Sequence, residues 1–123
     1  MVKAEPTDPL HATLLTMDVA HPPIPPDRVE EILLEACSRV RNSPSLRVLK
    51  VVHGYGSSGR GGKTKQVVRN WAFRHRARLR DVIDGERYQL SDAAVQEMIN
   101  ELGRYEDADL WSPNHGITVL WVK

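Results

Sequence analysis

Four short apolar runs, separated by stretches of helical spacing, constrain this chain more than any other feature. Thr13 to Val19 (TLLTMDV), Leu46 to His53 (LRVLKVVH), Arg80 to Ile83 and Ile117 to Val122 (ITVLWV) have the length and the β-branched content of strands. Between them, Val29, Ile32, Leu33, Ala36, Cys37 and Val40 recur at helical spacing and predict a helix from about Arg28 to Arg41. Val67, Val68, Trp71 and Ala72 predict a second helix from about Lys63 to Arg76, and Ala94, Val95, Met98, Ile99 and Leu102 a third. The order β-α-β-α-β-α-β reads as an α/β protein. Such alternation favours a mostly parallel four-stranded sheet with right-handed helical crossovers.

The punctuation agrees with these elements. The run His21-Pro22-Pro23-Ile24-Pro25-Pro26 suits neither a helix nor a central strand, because proline lacks the amide donor and fixes φ. It reads as a stiff connection ending at Asp27, a candidate N-cap. Asn42-Ser43-Pro44-Ser45 reads as a turn; Ser91 or Asp92 caps the third helix and Gly103 stops it. With 123 residues the chain suits one core rather than two. Residues 1–12 read as a flexible arm, residues 13–123 as the domain, and residues 84–113 as an acidic helical insertion. The single cysteine, Cys37, falls on an apolar helix face and reads as a core thiol. Neither zinc-ligand spacing, nor a signal-peptide core, nor an apolar run of membrane-spanning length is visible, so a cytoplasmic location without membrane attachment is expected.

The net charge of +1 conceals a strong asymmetry. From Ala36 to Arg80 there is no Asp or Glu, yet twelve of the 17 basic residues lie there. From Asp81 to Asp109 nine acids face only Arg87 and Arg104. A local positive field attracts a polyanion even on a nearly neutral molecule. The competing reading is a solvated surface folded against the acidic segment.

The sharpest local feature is a strand, then the glycine-rich loop Gly54 to Gly62 (GYGSSGRGG), then a helix start. Glycine permits positive φ and close approach to backbone, and the first helical amides have no internal partner. Together with Arg60, Lys63 and Lys65 they form a candidate phosphate site; the alternative is a loop without a ligand. Gly62-Lys63-Thr64 resembles the end of a P-loop, but Ser57 stands where its first glycine belongs. Gly54, Gly56 and Gly59 match G-x-G-x-x-G without the acidic residue about twenty positions on that a dinucleotide site uses. A phosphate or nucleotide small-molecule binder is therefore the lesser alternative.

His53-Gly54-Tyr55-Gly56-Ser57-Ser58-Gly59, after Val51-Val52, resembles the HGxGxG signature of the Smr (small MutS-related) domain. Gly116-Ile117-Thr118-Val119 is similar to that family's final glycine-threonine strand, and Met17-Asp18-Val19 to its leading L-D-L-H-G motif. The three matches occur in family order across residues 13–123. The resemblance implies a two-layer α/β sandwich like the C-terminal domain of bacterial translation initiation factor three. It also implies binding to DNA or RNA, with structure-dependent DNA nicking or endoribonuclease activity in some members. In the leading motif the family's histidine position is Ala20 and its glycine is His21, so His21 stands one residue out of register.

Cutting a phosphodiester requires a group that activates the nucleophile and a positive clamp on the phosphoryl oxygens. Asp18, at a strand end, is a candidate to orient water or to hold Mg2+ or Mn2+; the alternative is a cap on the proline loop. His53 is a candidate acid, base or phosphate donor, or else a structural hydrogen-bonding group for the loop. His21 is the third catalytic candidate. Gly54, Tyr55, Gly56, Gly59, Arg60, Lys63, Lys65, Arg69 and Arg76 are the candidate nucleic-acid contacts. Tyr55 would stack on a base, and Arg69 and Arg76, expected on the exposed face of the second helix, would track the phosphate backbone.

Overall fold

The computed structural model describes residues 4–6, 12–54 and 61–123. The elements in order are β1 (Ala4–Pro6), β2 (Leu14–Asp18), α1 (Pro26–Asn42), β3 (Val48–Val52), α2 (Gly61–Arg74), a 3-10 turn (Arg76–Arg78), β4 (Asp81–Asp84), α3 (Ala93–Leu102), a second 3-10 turn (Ala108–Trp111) and β5 (Ile117–Trp121). The expected alternation of strands and helices is present. Ala4–Pro6, inside the segment read as an arm, adds a short edge strand antiparallel to β2.

The sheet is mixed rather than mostly parallel. Its order is β1-β2-β3-β5-β4, and only β2 and β3 pair in parallel. β5 lies antiparallel between β3 and β4. The reason is in β5 itself: all five of its residues are buried, so it requires a neighbour on each edge and cover on both faces. Residues 85–116 leave β4 and rejoin the sheet at the same end, so β4 and β5 pair as a wide hairpin with no crossover.

Strand alternation sends side chains to two cores, and this replaces the expected two-layer arrangement with helices on both faces. Leu15, Met17, Leu49, Val51 and Leu120 pack with Val29, Leu33, Cys37 and Val40 of α1 and Val68, Trp71 and Ala72 of α2. On the other face Leu14, Val48, Ile83, Ile117, Val119 and Trp121 meet Val95 and Met98 of α3, together with Tyr88, Tyr105 and Leu110. Truncating one fully buried leucine such as Leu33 costs about 2–5 kcal/mol. Cys37 lies in the first core, and burial pushes its thiol up to about 11, the inert state expected of a core thiol.

A buried polar cluster anchors the acidic segment to the second face. The Lys50 ammonium donates to Asp107 at 2.8 and 2.9 Å and to Asp109 at 2.8 Å. Tyr88 donates to Asp107 at 2.9 Å and shares a 2.6 Å bond with Tyr105. Burial pulls the Lys50 pKa down, but the two carboxylates outweigh it and the net shift is upward. A buried ion pair is tolerated only with its remaining hydrogen bonds satisfied, and this cluster satisfies them.

The helix ends follow local chemistry. α1 starts at Pro26 with Pro25 as N-cap and no side-chain cap bond, so Asp27 is not the N-cap expected from the sequence. Proline at the first helical position forfeits an amide that had no partner there, and Asp27 instead meets the positive end of the dipole from within the first turn. At α3 the Asp92 carboxylate accepts from the amides of Ala94 and Val95, and Gly103 ends the helix with φ of 79°. α2 ends at Arg74, so Arg76 stands beyond it in a 3-10 turn.

Candidate nucleic-acid interface

The C-terminal ends of β2, β3 and β4 share one edge with the N-terminal end of β5 and the start of α2. The parallel register sets Asp18 beside Val52, and the antiparallel registers set Ile117 beside Val52 and Thr118 beside Asp84. Gly116 carbonyl oxygen accepts from the amides of both His53 and Gly54, at 2.8 and 3.1 Å. Three segments more than sixty residues apart in total, the ones that carry the motifs, therefore meet at one edge. In α/β sheets the carboxyl ends of strands are where ligands bind.

Asp18 and His21 form an exposed pair there. Asp18 Oδ1 accepts from the amides of Ala20 and His21 at 2.8 and 3.0 Å, which closes a tight turn. His21 Nδ1 lies 2.9 Å from Asp18 Oδ2. The His21 side chain is 73% exposed, and among the described residues its Nε2 has no partner. The proline run that follows holds this turn, with Ile24 amide donating to Val19 carbonyl oxygen at 3.2 Å. Of the two alternatives for Asp18, the cap on the proline loop is present, and its second oxygen meets His21, a partner the sequence did not announce.

His53 is a different case, and its geometry matches the alternative of a structural hydrogen-bonding group for the loop. The ring is fully buried. Its Nδ1 lies 2.6 Å from Gly54 carbonyl oxygen, which can only accept, so Nδ1 carries the proton. Nε2 then accepts from the Thr118 hydroxyl at 2.9 Å, and Thr118 Oγ1 accepts from Arg69 Nε at 3.0 Å. Burial lowers the His53 pKa to about 4, so the ring is neutral near pH 7. Both nitrogens are used in holding β3, the loop start and β5 together. Gly54 has φ of 72°, a conformation glycine adopts without strain, and it turns the chain out of β3 at this point.

The basic residues divide. Lys63 is exposed near the start of α2, and Lys65 and Arg69 are partly buried on it. Arg69 Nη1 and Nη2 donate to Glu86 at 3.0 and 2.6 Å, and Nη2 also reaches Ile117 carbonyl oxygen at 3.1 Å. Lys65 Nζ donates to Glu86 at 3.3 Å, and His115 Nδ1 lies 3.6 Å from it. Asp84 adds a second carboxylate 3.4 Å from Arg69 Nε. The Arg69 hydrogen bonds, followed by lesser contributions that include Lys65, hold the Glu86 carboxyl far below its ordinary range. Arg76 stands beyond the end of α2, about 20 Å from Lys63, and lines one groove with Arg69 between α2 and β4. Tyr55, Gly56, Gly59 and Arg60 lie outside the described residues.

The partners of Glu86, Thr118 and His115 escaped the sequence reading. Glu86 sits in the segment read as an insertion, and only the hairpin pairing of β4 with β5 delivers it to Arg69. Thr118 belonged to the matched terminal strand, yet its partners come from β3 and α2. Among the described residues no three acidic, histidine or cysteine side chains cluster as a metal site. Asp18 already commits both oxygens to the turn and to His21, so it orients the imidazole rather than offering a ready cation ligand.

No helix among the described residues is long and apolar enough to cross a membrane. Comparison with family models, with curated proteins and with solved structures finds no match for this chain.

Proposed function

We propose that this chain is an Smr-like nucleic-acid-binding domain, and that it hydrolyses a phosphodiester at the edge shared by β2 and β3. The observation that carries the reading is the Asp18–His21 pair, with Nδ1 at 2.9 Å from the carboxylate and an exposed imidazole. A carboxylate that fixes the tautomer of a histidine leaves its Nε2 free to accept a proton. In the proposed reaction His21 Nε2 takes the proton of the attacking oxygen as it bonds to phosphorus, and the leaving oxygen departs with a proton from solvent. Lys63, exposed near the start of α2, neutralises the phosphate beside it. The order of the three motif matches, and their meeting at one edge, supports the Smr-like assignment. One-residue displacement of the histidine from the family position is then met by the tight turn at Asp18, which draws His21 back onto the carboxylate.

A second reading, a binding module without cleavage, draws support from two observations. His53 has both nitrogens engaged, and Glu86 already neutralises Arg69. Incubating the pure protein with branched DNA and with structured RNA, with and without Mg2+ or Mn2+, separates the readings. Hydrolysis is expected from the wild type and loss of at least a hundredfold from Asp18→Asn and His21→Asn. Intact substrate with a shifted gel band would overturn the catalytic reading and keep the binding one. Saturable binding of a mononucleotide without affinity for oligomers would overturn both.

A further inference from the structure

α1 and α2 both begin at the edge just described and run to the opposite end of the sheet. The last turn of α1 places exposed Arg39 and Arg41 there, and the 3-10 turn after α2 adds exposed Arg76 and Arg78, while Arg74 reaches back toward the start of α1. The pieces are joined: Arg41 Nη2 donates to Arg78 carbonyl oxygen at 3.3 Å, and Arg76 Nη1 donates to Phe73 carbonyl oxygen at 2.6 Å. Glu30 pairs with Arg74 at 2.7 Å and Glu101 with Arg80. Among the described residues no carboxylate pairs with Arg41, Arg76 or Arg78.

Cations at helix C-termini are favoured by the dipole and by themselves mark no site. Phe73 is the independent observation. It is 63% exposed on a helix whose other aromatic, Trp71, is buried, and the Arg76 guanidinium lies 3.8 Å from its ring centroid. Nothing in the fold requires a phenyl ring there. Beside it runs a groove of about 610 Å3 between α2 and β4, which Phe73 and Arg76 share with Arg69 and Arg80 and whose far wall carries Asp81 and Asp84.

We infer that this end is a second nucleic-acid contact, specific for single strands and distinct from the Asp18–His21 pair. An exposed aromatic ring paired with a guanidinium is a stacking platform for an unpaired base, and cations that lack carboxylate partners suit the flanking phosphates. A duplex offers the phosphates without the free base. The inference rests on nucleic acid being the partner, as proposed above, but not on cleavage.

The test is fluorescence anisotropy of the full chain with labelled oligo(dT), oligo(U) and a duplex of equal length. Phe73→Ala should weaken both single strands about tenfold and leave the duplex unchanged, and Phe73→Trp should restore them. Arg76→Gln with Arg78→Gln should reduce the slope of log affinity against log salt by about 1.4 for the single strands. Phe73 is exposed, so these variants fold. Single-strand affinity unchanged in both variants, or equal losses on duplex and single strand in Phe73→Ala, would overturn the inference. If the wild type cuts nothing yet Phe73→Ala loses single-strand binding, the cleavage proposal falls and this one stands. A wild type that binds none of the three probes overturns both.

Discussion

Arg69 and Glu86 face each other as a forked pair, with both terminal nitrogens of the guanidinium on the carboxylate at 3.0 and 2.6 Å. The pair locks α2 to the turn after β4. It also removes the central cation of the glycine-loop edge from contact with a phosphate, because a carboxylate already fills the fork. Glu86 accepts from Lys65 as well and approaches His115, so one acid offsets three cationic or titratable groups.

Glu86→Gln should therefore tighten nucleic-acid binding at this edge. Loss of the negative charge frees Lys65 and Arg69 for one or two phosphates, a gain of about tenfold at low salt with a steeper salt dependence. The pair is partly solvated, so the cost to folding is small, about 1 kcal/mol. Salt titrations of the variant beside the wild type, with thermal melts of each, check both. Unaltered affinity would mean that the edge does not meet phosphate.

His53 makes stability depend on pH. Its folded pKa is about 4 against an ordinary 6.5, so between these values the unfolded chain binds the proton and the folded chain does not. Stability contributed by the neutral ring is complete above about pH 6.5 and is lost as pH falls toward 4. The full swing is about 3 kcal/mol. Urea melts from pH 7.5 down to 4 should show this decline. His53→Gln, which retains a donor and an acceptor, should flatten it between pH 6.5 and 4 while lowering stability overall. A parallel decline in both proteins would exclude His53 as the source.

Gly85 tests the hairpin that delivers Glu86. A methyl group there would stand 1.9 Å from Asn114 carbonyl oxygen and 2.7 Å from Ile117 carbonyl oxygen. Backbone cannot yield as a side chain end can, so Gly85→Ala should cost about 3 kcal/mol and loosen β4 from β5. Hydrogen exchange should quicken at the Gly85 and Arg80 amides, which donate into β5, before it does in α1. A variant as stable as the wild type would contradict the packing described at this turn.

Much of the architecture was legible because it rests on local chemistry. The apolar spacing of Val29, Leu33, Cys37 and Val40 determines a helix wherever it lies, and Asp92 and Gly103 end α3 by hydrogen bonds and dihedrals that need no distant partner. The strand runs at β2, β3 and β5 follow from apolar content alone. Asp27 misled because proline at the first helical position displaced the cap. Arg76 misled because helical spacing was carried past Arg74, where the chain tightens into a 3-10 turn.

The sequence by itself determined which segments are strands and helices, and that basic and acidic residues are segregated along the chain. Only the tertiary structure decided that β5 enters between β3 and β4, which makes the sheet mixed and covers both faces. It alone set Glu86 into the Arg69 fork, brought Arg74 to Glu30, and turned His53 inward while His21 stays exposed on Asp18. The physical reason is one of range. Periodicity and capping act over a few residues, whereas charge pairing and burial act through space between segments whose separation along the chain carries no record of their meeting.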